Sequence, residues 1–138
     1  MSNVEAELAT VTDGLAAFGR LRTTLWPAVL QLTALALAGL PAGAPEAARL
    51  AAQHAATGFR EALAATRSDL DALVRLRGAT DALWSMLAAM QPAQVRAFDQ
   101  LCAAEAAIRA DILAFEAGIQ RAKGLVRLVE EVVVVPGL

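Results

Sequence analysis

The sequence predicts an all-α protein, an elongated antiparallel helical bundle of three long helices plus one short helix, with helix 1 kinked near Pro27. Three observations carry that expectation. Alanine, the strongest helix former, supplies 34 of the 138 residues. Tyrosine is absent, and β-branched residues are sparse before the C-terminal end. Apolar residues also recur at alternating steps of three and four, the spacing of helices that pack along a seam.

Three interruptions divide the chain: Pro41-Ala42-Gly43-Ala44-Pro45, Gly78-Ala79-Thr80 and Gln91-Pro92. Each pairs a helix breaker with a new start. The expected helices lie near residues 3–40, 45–77, 80–91 and 92–131. Pro45 and Pro92 suit a first helical turn, where a missing N–H costs nothing, and Thr80 is placed to cap a helix from Asp81. Pro27 lies inside the first helix, so a kink or break is expected close to residues 23–27, with Pro27 positioned to open a second segment.

In the first helix Val4, Leu8, Val11, Leu15, Phe18, Leu25, Val29 and Leu32 form a heptad seam, missing only at Arg22. In the last, Phe98, Leu101, Ile108, Ile112, Phe115, Ile119, Ala122, Val126, Val129 and Val133 do the same, with Glu105 as the interruption. If the first and last helices packed antiparallel with Arg22 and Glu105 level, the two would form a partly buried, register-setting ion pair. The alternative is that the seam rotates at each point and the long side chain reaches solvent. The second helix continues the pattern through Phe59, Leu63, Leu70 and Leu73. Its Ala48, Ala51, Ala52, Ala55 and Ala56 make a small-residue surface that lets a neighbouring backbone come close.

Residues 1–131 read as one helical domain and residues 132–138 as an apolar tail, with Val132, Val133, Val134 and Val135 as its core. A tail apolar on every side needs a cover, either its own bundle or a partner. Residues 23–45 carry no charge. Pro27, Gln31, Thr33, Gly39 and Pro41 dilute this stretch, and a buried bundle helix fits it better than a membrane span. With no leader pattern at the amino terminus, the expected compartment is the cytoplasm.

Composition removes most chemistry. The formal net charge is −2, and no Lys/Arg cluster offers the basic stripe that nucleic acid requires. One cysteine and one histidine supply neither a disulfide framework nor a metal-ligand set, so no metal and no cofactor is expected. His54 has no acid or second histidine one turn away, and Cys102 has Glu105 rather than a base beside it. Phosphate-loop, GxSxG and HExxH motifs are all missing, and so is the Glu-x-x-His pair of a di-iron bundle. No catalytic residue and no small-molecule substrate is therefore expected. Charged residues make up only 19% of the chain, below the usual ~25%. The expected activity is protein binding or self-association by an assembly, adaptor or chaperone-like component. Trp84 and Met90, beside Leu83 and Leu87, and the valine tail are the candidate contacts. The competing reading is a membrane-surface or apolar-ligand-binding protein using residues 23–45.

Overall fold

The structure is a computed structural model describing residues 3–134, with side chains described to residue 131. Five α-helices follow one another: α1 (Asn3–Thr24), α2 (Trp26–Gly39), α3 (Glu46–Ala65), α4 (Arg67–Ser85) and α5 (Pro92–Val134), with a short 3-10 turn at Leu87–Ala89. The described residues contain no strand. Five helices stand where the sequence suggested four, and each difference has a local cause.

The first expected helix is broken at Leu25, and Pro27 lies in the first turn of α2. Proline has no N–H to donate back to Thr23, and its ring crowds that carbonyl, so an unbroken helix is not available here. The second and third expected helices divide differently. Gly78-Ala79-Thr80 does not interrupt α4, because Ala79 and Leu83 continue its buried stripe. The Thr80 hydroxyl donates to the Leu76 carbonyl at 3.0 Å instead of capping a new helix. The break falls at Thr66, whose N–H and hydroxyl both donate to the Ala62 carbonyl, at 3.0 and 2.8 Å. Thr10, Thr12 and Thr33 make the same back-bond without a break. What sets Thr66 apart is burial.

The two turns are built from their residues. Ala44 N–H donates to the Pro41 carbonyl at 3.0 Å, and Gly43 takes φ +82° at the third position, which a side chain would resist. Before α5 the Gln94 side chain accepts from the Gln91 N–H at 2.8 Å, while Val95 N–H bonds the Gln91 carbonyl. That is one half of a capping box, followed by the first helical hydrogen bond.

The chain forms two compact units, Met1–Leu21 with Arg67–Ile112, and Arg22–Thr66 with Leu113–Leu138. In the first, Val4, Val11, Ala79, Leu83 and Phe98 form a core ringed by half-buried Leu8, Leu15, Met86, Met90, Leu101 and Cys102. Burying a side chain such as Phe98 contributes about 1.5–3 kcal/mol. Arg20 fixes α1 to α4 by donating to both oxygens of Asp69, with Nη2 at 2.9 Å.

The buried residues of the second unit are Leu25, Val29, Leu32 and Ala36, with Ala52, Ala55, Ala56 and Phe59 of α3 and Phe115, Ile119, Ala122, Val126 and Val129 of α5, and α2 packs directly on α3. The alanine surface of α3 does what its small side chains allow. A Cβ on Gly39 would stand 2.8 Å from Ala52 Cβ and 2.9 Å from the Ala48 carbonyl, so α2 and α3 touch nearly backbone to backbone. Gly118 makes a second such approach, since a methyl there would stand 2.7 Å from the Trp26 ring. That ring also lies 5.5 Å from Phe115, centroid to centroid. Arg60 pairs with Glu130 at the surface of this unit.

Candidate interaction surface

The buried face of α4 runs through Leu73, Leu76, Ala79 and Leu83. Trp84 comes one residue after Leu83 and is therefore turned about 100° from the centre of that face. Its ring sits at the edge of the core, 56% exposed. The inner side of the indole is not loose, because it meets buried Phe98 edge-on, with centroids 5.0 Å apart at 72°. Leu87, on the 3-10 turn that follows, is 39% exposed. That turn is closed by Ala89 N–H, which donates to the Met86 carbonyl at 2.9 Å, and by Met90 N–H, which donates to the Leu87 carbonyl at 3.2 Å. Met86 and Met90 are half-buried against the same core. Trp84 and Leu87 are thus exposed beside a core to which Met86 and Met90 contribute.

The other residues singled out from the sequence fall elsewhere. Arg22 is exposed, and the seam passes instead through Leu21, which is fully buried. Glu105 keeps its place in the α5 seam, with its carboxylate held by Arg109 one turn on. The Arg109 hydrogen bond and charge, with Arg77 nearby, pull the Glu105 carboxyl below its ordinary pKa against the opposing effect of burial. Val132, Val133 and Val134 continue the backbone of α5. Their side chains, and Val135 with the rest of the tail, lie outside the described residues.

Burial, then Asp99 and Glu105, push the Cys102 thiol above its ordinary pKa, away from the nucleophilic thiolate. His54 is exposed on α3. Among the described residues no group of three or more His, Cys, Asp or Glu is placed to hold a metal ion. No single helix among them is both long and apolar enough to cross a membrane, and α1 with α2 meets that test only as a bent pair.

The sequence offered residues 23–45 as a surface without showing which of them face outward. Leu30 and Leu37 are 54% and 69% exposed on α2, on the side away from its buried residues. The signal was present in the absence of charge on every side of this helix, which hides the difference between its inner and outer faces. No protein-family model, curated protein or solved structure matches the chain.

Proposed function

We propose that the protein is a non-enzymatic interaction component of the assembly, adaptor or chaperone-like kind, acting on a protein partner or on further copies of itself. The observation that supports this best is Trp84, half outside the core yet held edge-on by Phe98. A large ring that is already oriented loses little conformational freedom when a partner covers it, and tryptophan is prominent among residues that dominate interface energetics. Met86 and Met90 would adapt around it. Val132, Val133, Val134 and Val135 are the second proposed contact. The cytoplasm is the proposed compartment. The arrangement that best satisfies the long seams is an antiparallel helical bundle.

The test compares proteins captured in cells by the wild type and by Trp84→Ala, both shown by circular dichroism to be folded. We expect a specific interactor to be lost with the indole. An unchanged interactor profile would remove Trp84 from the binding surface.

A second reading has its own observation. Exposed Leu30 and Leu37 in the uncharged 23–45 stretch favour a membrane-surface or apolar-ligand-binding protein. Flotation with lipid vesicles, abolished by Leu37→Glu, would support it.

A further inference from the structure

We infer that Met86 and Met90 form an oxidation-sensitive latch on the corner between α4 and α5, released when hydrogen peroxide converts their thioethers to sulfoxides. The two residues bracket the 3-10 turn, one just before Leu87 and the other just after Ala89. All three turn residues are exposed, whereas both methionines are half-buried. The backbone bonds of the turn, from Ala89 N–H to the Met86 carbonyl and from Met90 N–H to the Leu87 carbonyl, close the corner on itself. Its hold on the core is therefore made by the two thioethers, which pack against Val4, Val11, Ala79, Leu83 and Phe98.

Half-burial is what such a latch needs. The exposed part of each side chain admits a peroxide, and the buried part makes the product costly. In the reaction a sulfur lone pair forms an S–O bond as the peroxide O–O bond breaks. The sulfur is oxidised, the peroxide is reduced, and the proton of the transferred oxygen leaves with the other oxygen as water. The sulfoxide oxygen is a strong hydrogen-bond acceptor set against a core of hydrocarbon side chains, so it is satisfied by turning out to water. That movement carries the corner off the core and takes support from Trp84, which rests on Phe98 two residues before Met86. Cys102 packs on the same core, but burial first, then Asp99 and Glu105, raise its pKa and keep it a thiol, slow toward peroxide. Thioethers need no ionisation, so they respond before it.

The control of binding rests on the Trp84 reading, but the latch itself is read without a partner. The full chain carrying Trp26→Phe and Cys102→Ser, which leaves Trp84 as its one indole and no thiol to compete, is treated with millimolar hydrogen peroxide. Peptide mass spectrometry then locates the added oxygen. The expected result is one oxygen on Met86 and one on Met90 in the folded protein, a red shift of Trp84 emission, and a melting temperature lower by roughly 5–15 °C. Methionine sulfoxide reductases for both epimers, with dithiothreitol, should restore emission and melting temperature. Met86→Leu with Met90→Leu, a swap that keeps volume, should make both readouts indifferent to peroxide. Each single leucine variant should respond less than the parent, which keeps the test intact should the double variant misfold. The proposal is overturned if neither methionine is oxidised until the protein is unfolded, if both are oxidised with Trp84 emission unchanged, or if the leucine variants respond like the parent. Failure of the Trp84 reading would appear instead in the interactor comparison and leave these spectra as they are.

Discussion

Glu105 shows how a charge is kept in a packed seam. Arg109, one turn on, takes both carboxylate oxygens and carries the pair to the surface. Because this pairing depresses the folded-state pKa, its stabilisation is fully present above the ordinary glutamate value of 4.5 and is lost as pH falls through the lowered value. We expect Glu105→Gln to lower the melting temperature slightly at pH 7 and to make no difference at the acid end, as thermal melts across pH would show. A double-mutant cycle should find Glu105 and Arg109 coupled. Thr66 is the complementary case, a buried hydroxyl whose acceptor already receives the Thr66 N–H. Thr66→Val should therefore change unfolding free energy by less than about 1 kcal/mol, because no partner is left unsatisfied.

Among the helices, glycine separates packed positions from free ones. Gly39 and Gly118 admit a neighbour that a methyl would strike, whereas Gly78 and Gly124 face open space. In chemical denaturation we expect Gly39→Ala and Gly118→Ala to destabilise by about 1–3 kcal/mol and Gly124→Ala to stabilise by up to about 1 kcal/mol. This contrast also explains what the sequence could convey. The seams of α1 and α5 were legible because burial has a period, and Phe98, Ile112, Phe115, Ile119 and Val126 are buried as that period requires. The break at Thr66 was not, since its hydroxyl bond is one that other threonines make inside intact helices. Gly78 misled for the opposite reason, as an exposed glycine weakens a helix without ending it. Trp84 was picked out by residue type, but its exposure depends on one step of rotation beyond Leu83, which a crowd of apolar neighbours conceals. Leu30 and Leu37 lie in the 23–45 stretch that the sequence did single out, but which of its residues face outward is concealed by a helix with no charged side.

Over the whole molecule each compact unit holds one tryptophan, Trp84 in the first and Trp26 in the second. Single-tryptophan variants, Trp26→Phe and Trp84→Phe, therefore report on the units separately. The unit boundary falls within α1 and within α5, and neither helix is interrupted there. We expect the two fluorescence transitions to coincide with each other and with the loss of helicity, as cooperative unfolding requires. Two separate midpoints would show that the helices fray where the units divide. Because the valine tail is a proposed contact, a version ending at Glu131 should associate less than the full chain in light scattering, and unchanged association would remove the tail from the contacts. The division into units also bears on gene architecture. Each unit is assembled from two stretches of chain separated by most of the other, so no single cut in the coding sequence releases either one intact. Recombination can move or duplicate this protein only as a whole, whereas insertions are best tolerated at the two tight turns, around Ala42 and Ala89, where the chain reverses without crossing from one unit to the other.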